Sequence, residues 1–237
     1  MSDVDKSAAD GLTVSQRHAQ QGWQRPEAAA AYRRSRDPAR FHRHDREEAI
    51  LGAWMQGLPA QAVVLDVPCG TGRMVPTVTG RSLRYVGGDI SLAMIGEARQ
   101  AADTGLLLGF VNADAGRLPF ADNAVDCVIV WRLLHHVREP EVRMSILREA
   151  ARVSRQQVFL SFHHPFSFTH WRKTIKRSIL GGTRHGSAIT QWQLEREATA
   201  CGLRLVETSG FRKYVSINWF ARLEKAAEPK WPAPPAR

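Results

Sequence analysis

Residues 63–73, Val-Val-Leu-Asp-Val-Pro-Cys-Gly-Thr-Gly-Arg, place a carboxylate just ahead of two closely spaced glycines. The apolar run ends in Asp66, and Gly70 and Gly72 form a tight turn directly after it. A turn without Cβ atoms lets the backbone approach a ligand and take up positive φ without strain. The stretch therefore reads as a buried first strand that delivers its carboxyl end to a nucleotide-like ligand, with a helix beyond. Two common ligands are excluded. A dinucleotide fingerprint needs a third Gly or Ala where Val75 stands, and a phosphate loop needs a Lys that this turn lacks.

Further carboxylates recur at the same kind of position. Asp89, in Gly-Gly-Asp-Ile-Ser, ends the next apolar segment and can accept both hydroxyls of a ribose. Asp114, followed by Ala115, ends the third and can accept from an adenine amino group. Taken singly, Asp89 is equally a helix cap and Asp114 a turn residue. At successive strand ends beside the glycine turn, the binding-site reading is the stronger one. Histidine suits proton transfer near neutrality. His135 and His136 follow the fourth strand and read as loop-structuring or pocket residues. His163 and His164, in His-His-Pro after the fifth, are the candidate bases. Cys69, Cys127 and Cys201 are widely spaced, and no Cys/His set has metal-ligand spacing, so no metal is expected.

Alternating strand and helix patterns position these residues. Strands are expected near 62–67, 83–88, 106–112, 124–130, 156–162, 203–209 and 214–223, with helices near 72–79, 91–102, 139–153 and 190–201. Two leading helices, Glu27–Arg34 and Arg43–Met55, fall within 27–57. The continuous apolar runs of the middle strands imply a parallel sheet covered on both faces. The last two strands are joined by so few residues that they must pair antiparallel. Residues 1–20 read as a disordered extension, 21–225 as one domain, and 226–237 as a Pro-rich tail.

The turn Asp66-Val-Pro-Cys-Gly-Thr-Gly resembles motif I of the class I S-adenosylmethionine-dependent methyltransferases, with Pro68 in place of the usual first glycine. Asp89-Ile-Ser-Leu-Ala-Met-Ile-Gly-Glu-Ala-Arg resembles the family's second strand end and helix. Asp114-Ala-Gly-Arg-Leu-Pro-Phe through Leu-Leu-His-His-Val resembles the segment that follows, as in the ubiquinone/menaquinone-type small-molecule methyltransferases. The resemblance covers roughly 60–155 and the closing strands. It implies an α/β fold, a Rossmann-like seven-stranded, mostly parallel sheet with an antiparallel closing strand. It also implies that S-adenosylmethionine is the methyl donor. By that likeness Asp66 orders the loop, Gly70 and Gly72 meet the methionine moiety, Asp89 holds the ribose, and Asp114 with Ala115 the adenine. The usual glycine turn before strand five is here Ser154-Arg-Gln-Gln.

The net charge of +10 is unevenly placed: residues 161–237 hold thirteen Lys/Arg against five Asp/Glu. Between strand five and the next helix, residues 163–189 interrupt the βαβ rhythm as a basic insert on the acceptor side. Within it, Trp171–Leu180 puts Trp171, Ile175 and Ile179 on one helical face, flanked by Arg172, Lys173, Lys176 and Arg177. The plain reading is a lid helix with solvated basic residues. The sharper one is peripheral contact of 171–180 with an anionic surface, or binding of an anionic acceptor. No apolar run reaches the roughly 18 residues of a membrane span. The N-terminus lacks the pattern of a signal peptide. A cytoplasmic enzyme, or one peripheral to the inner face of a membrane, is expected, acting on a small-molecule or lipid-like acceptor. The alternatives are an RNA methyltransferase, against which no Asn/Asp-Pro-Pro-Tyr/Phe sequence follows strand four, and a non-catalytic S-adenosylmethionine-binding or membrane-associated regulator.

Overall fold

The computed structural model describes residues 24–34, 38–101, 105–165, 187–210 and 217–226. The expected disordered extension at 1–20, the basic helix at 171–180 and nearly all of the tail lie outside them. Chain order runs α1 (Pro26–Arg34), α2 (Pro38–Met55), β1 (Val63–Asp66), α3 (Val75–Thr79), β2 (Arg84–Asp89), α4 (Leu92–Ala101) and β3 (Leu107–Asn112). It continues through β4 (Val125–Val130), a 3-10 turn (Leu134–His136), α5 (Pro140–Val153), β5 (Ser154–His163), α6 (Gln191–Ala200), β6 (Leu203–Gly210) and β7 (Asn218–Lys225). The strands form one sheet in the order β3-β2-β1-β4-β5-β7-β6. All pairings from β3 through β5 are parallel, and β7 runs antiparallel to both β5 and β6.

Period-two alternation in the central strands divides the core in two. On one face Val64, Cys127, Ile129 and Phe159 pack against Leu51, Trp54 and Met55 of α2 and Val75 and Val78 of α3. On the other, Leu65, Val128, Val130, Val158 and Leu160 pack against Leu147 and Ala150 of α5 and Leu194 and Ala198 of α6. Helix α6 starts on a capping box, with the Gln193 N–H donating to Thr190 Oγ1 (3.1 Å) and the Thr190 N–H to Gln193 Oε1 (2.8 Å). Arg143 of α5 donates to Glu197 of α6 (2.9 Å) and to the carbonyl of Arg138 (2.7 Å), tying the loop after the 3-10 turn to both helices.

Three elements differ from the sequence reading. The helix expected at 72–79 is shorter, Val75–Thr79, because positive φ at Gly72 (75°) delays it and Pro76 falls in its first turn. No turn precedes β5: α5 ends at Val153 and the strand starts at Ser154, whose hydroxyl donates to the Gln157 carbonyl (2.9 Å). The closing strand, expected near 214–223, is Asn218–Lys225 among the described residues, and it lies between β5 and β6. The pairing sense follows from the short connection; the insertion of β7 against β5 does not.

Candidate active site at the carboxyl edge of the sheet

The strand order reverses between β1 and β4, so the crevice at their carboxyl ends is where an open α/β sheet binds ligands. Beyond β1 the backbone turns sharply. The Val67 N–H donates to the Ile129 carbonyl (2.9 Å), the Cys69 N–H to Gly88 (2.8 Å), and the Gly72 N–H to Cys69 (3.0 Å). The two glycines serve different ends. Gly70 has φ of 54°, and a Cβ there would meet nothing within 4 Å among the described residues, so its face is open to a ligand. Gly72 has φ of 75°, and a Cβ there would sit 3.2 Å from Cβ of Ala98, so its missing side chain lets α4 pack close.

Asp89 holds this turn to the end of β2. Its Oδ2 accepts from the Gly70 N–H (2.9 Å) and its Oδ1 from the Ser91 N–H (2.8 Å). Burial pushes its carboxyl above the usual range, opposed by the N–H groups of Ser91, Gly70 and Ile90. Each oxygen keeps a second lone pair, so the helix-cap role and hydroxyl recognition coexist. One strand further, the Ala113 N–H donates to the Asp89 carbonyl (3.0 Å), which places Asp114 and Ala115 beside it, both half-buried. Asp114 Oδ1 accepts from the Gly116 N–H (2.8 Å), closing a turn.

Asp66 is only 1% exposed. Its Oδ2 accepts from the Tyr85 hydroxyl (2.7 Å), whereas Oδ1 has no hydrogen-bond partner among the described residues. Burial lifts its pKa to about 7, against the opposing pull of Tyr85 and Arg73 and with a small further push from Asp89. A buried carboxylate oxygen without a donor, next to an open glycine, fits a ligand that brings its own hydrogen-bond donors, as the amino-acid moiety of S-adenosylmethionine would.

The leading helices add what the sequence reading missed. Glu47 of α2, 1% exposed, accepts from Arg73 (3.0 Å), from Arg132 at both oxygens (3.0 and 3.2 Å) and from the Trp131 indole (3.3 Å). Burial raises the Glu47 carboxyl, but the two guanidiniums outweigh it and hold it below the usual range. One acidic side chain thus ties α2 to the glycine turn and to the end of β4. Arg132 has φ of 59°, a conformation that non-glycine residues seldom adopt, and its N–H donates to Ser161 Oγ of β5 (2.7 Å). No spacing signal marks Glu47. A weak one marks Arg132, since it directly follows an apolar strand at the switch point.

The histidines converge only in part. His135 and His163 stack with centroids 4.1 Å apart, and His136 lies 4.1 Å from His135. Burial first, then His136, His163 and Arg132, push His135 down to about 2, which favours the neutral imidazole. His164 points elsewhere: it is 7% exposed and stacks on Trp219 at 4.5 Å. The chain returning from the insert crosses this cluster. The Ser187 N–H donates to the His135 carbonyl (2.7 Å) and the Ile189 N–H to that of His163 (2.9 Å). Among the described residues no group of three His, Cys, Asp or Glu is placed to hold a metal ion. Nor is any helix among them long and apolar enough to cross a membrane.

Comparison with known proteins agrees with this geometry. Residues 64–157 match the family model described as a methyltransferase domain. The chain is 32% identical over 108 residues to the demethylmenaquinone methyltransferase of Renibacterium salmoninarum, covering 46% of this chain and 44% of that protein. It is 30% identical over 141 residues to the 2-phytyl-1,4-naphtoquinone methyltransferase of Thermosynechococcus vestitus, covering 58% and 62%. The matches thus span about half the length of these curated relatives. Among solved structures, magnesium protoporphyrin IX methyltransferase from Synechocystis PCC 6803 with bound S-adenosylhomocysteine superposes with a TM-score of 0.63. It is 20% identical and covers 77% of this chain and 83% of that one, a likeness of fold. Residues 64–157 thus match a methyltransferase domain, set within the seven-stranded sheet and carrying the glycine turn described above.

Proposed function

We propose that this protein transfers a methyl group from S-adenosylmethionine to a small, ring-bearing or lipid-like acceptor. The observation that carries the proposal is the bond from the Gly70 N–H to Asp89, which joins the open glycine turn to the acidic end of β2. Asp66, Gly70 and Gly72 would hold the amino-acid end of the donor, Asp89 its ribose, and Asp114 with Ala115 its base. The donor supplies an electrophilic methyl on a sulfonium sulfur. The protein's part is alignment and exclusion of water, which together are worth up to roughly 7–11 kcal/mol in well-oriented systems. The names of the curated relatives point to quinone-type acceptors. The cluster of His135, His136 and His163 at the ends of β4 and β5 supports an acceptor pocket there. Of the two candidate bases, His163 is in that cluster, whereas His164 packs on Trp219. His163 is therefore the one proposed to face the acceptor, and His164 to shape the wall behind it.

Calorimetric titration with S-adenosylmethionine is the first test, and no binding below millimolar would sink the proposal. Asp89→Ala removes the acceptor of two backbone N–H groups and of the ribose, so affinity should fall about ten- to hundredfold. Gly70→Val forces a branched side chain into left-handed φ at a cost of roughly 1–2 kcal/mol and fills the open face. Donor affinity should drop at least about tenfold, with only a modest loss of melting temperature. A methyl-labelling screen of quinone, lipid and RNA fractions then identifies the acceptor class. Labelling confined to RNA, with steep salt dependence, would overturn the small-molecule assignment.

A further inference from the structure

The cluster around Glu47 sets two cationic side chains against one buried carboxylate. One buried carboxylate lies between two guanidiniums, Arg73 with 18% and Arg132 with 34% of its side chain exposed. The two arginines are not equivalent. Arg73 follows the glycine turn and also lies within electrostatic reach of Asp66. Arg132 stands beyond β4, and Glu47 and the Tyr32 phenol are the groups that favour its charged form. Glu47 is therefore shared between the two guanidiniums.

Arg132 is also held in place from several sides. Its main chain is in the left-handed region and is pinned by Ser161, its Nη2 donates to both oxygens of Glu47, and its side chain is also hydrogen-bonded to the Tyr32 phenol. A non-glycine residue in this conformation costs on the order of 1 kcal/mol, and such strain concentrates at functional sites. Within electrostatic reach of Arg132 lies His135, whose ring stacks on that of His163 as a wall with planes 18° apart. No carboxylate of β4, β5 or the 3-10 turn faces that wall among the described residues, since Asp126 is at the far end of β4, paired with Arg155.

We propose that Arg132 is a specificity residue of the acceptor pocket, binding a singly charged oxyanion carried on a planar ring, with Glu47 as the counter-charge that fixes the guanidinium. The inference rests on the methyltransferase reading of the same crevice. A ring-borne phenolate or carboxylate meets a guanidinium edge through charge-assisted hydrogen bonds while its ring lies along the imidazoles. For a hydroxyl acceptor the consequence is chemical. Arg132 lowers the hydroxyl's pKa, so the ring oxygen enters ionised, its proton having gone to water. The pocket then needs no strong base, in keeping with the neutral His135.

The test uses the full chain loaded with S-adenosylhomocysteine and 4-nitrophenol, whose absorption band reports the phenolate directly. Benzoate, inorganic phosphate and 4-nitroanisole are titrated in parallel. Arg132→Asn keeps a residue that tolerates left-handed φ, and Arg132→Lys keeps the charge. S-adenosylhomocysteine affinity should stay within about twofold in both variants, which also certifies folding. Wild type should bind nitrophenol as its anion, and Arg132→Asn should bind it about tenfold more weakly, with Lys between. Nitroanisole should be indifferent to the substitution, and benzoate against nitrophenolate decides between carboxylate and phenolate. Four outcomes overturn the proposal: no probe binding by wild type at millimolar concentration, equal losses for nitroanisole and nitrophenolate, tighter binding of phosphate than of either ring anion, or a loss confined to S-adenosylhomocysteine. The last would mean that Arg132 holds the donor's own carboxylate. If S-adenosylhomocysteine binds to none of the proteins, the methyltransferase reading fails instead, while nitrophenol titrated without it still reports on Arg132.

Discussion

Replacing Glu47 with Ala is expected to lower unfolding stability by about 3–5 kcal/mol, the usual cost of stranding a buried ionic partner. Glu47 is 1% exposed and accepts from three side chains, so its removal takes away the acceptor that Arg73, Arg132 and the Trp131 indole share. Because Arg132 is about one-third exposed, water recovers part of its charge, which favours the lower end of that range. The loss should also uncouple α2 from the glycine turn. S-adenosylmethionine affinity should therefore fall along with the urea midpoint, while a surface ion pair such as Arg204–Glu224, with Arg204 65% exposed, can be broken with little effect on either. Glu47→Gln should fall between, since the amide keeps an acceptor oxygen and loses the charge. An unchanged midpoint in Glu47→Ala would show that the cluster relaxes into water.

The second large effect is a pH dependence. Asp66 titrates near 7 in the folded chain against an ordinary value of 3.8, chiefly because it is fully buried. The folded state therefore holds a proton that the unfolded chain has already released. Stability of the cofactor-free protein is complete with respect to this group below about pH 4. It falls as pH rises toward 7, and the loss is full above that. That difference corresponds to something on the order of 4 kcal/mol. Asp66→Asn presents a neutral group of the same shape and keeps an acceptor for Tyr85. Urea midpoints at pH 5 and pH 8 should differ markedly more for wild type than for the variant, and the variant should be the more stable protein at pH 8. Equal pH slopes would remove Asp66 as the source. Donor binding at Oδ1 should shrink the wild-type slope, because ligand donors then stabilise the ionised form.

Both effects arise where the chain departs from what its own pattern dictates. The strands β1 and β4 were legible because burial on both faces requires continuous apolar residues, and the alternation of Cys127 and Ile129 with Val128 and Val130 then assigns each to a face. Asp66, Gly70, Asp89 and Asp114 were legible for a related reason. Each lies at the carboxyl end of such a run, so finding the run locates the residue. The antiparallel sense of the last pair followed from the length of their connection.

The order β5-β7-β6 was not legible, because a hairpin can dock against β5 by either strand and local sequence does not distinguish them. Nor was the division of labour between Gly70 and Gly72, which depends on whether Ala98 of α4 or open space lies opposite. The sequence by itself thus determined the sheet's central strands and which residues stand at their carboxyl ends, since periodicity and turn chemistry are local properties. Only the tertiary structure decided that Glu47, Arg73, Trp131 and Arg132 form one charged cluster, and that His163 joins His135 while His164 joins Trp219. Those groupings bring together residues far apart in the chain, held by burial and charge, and neither leaves a period in the sequence.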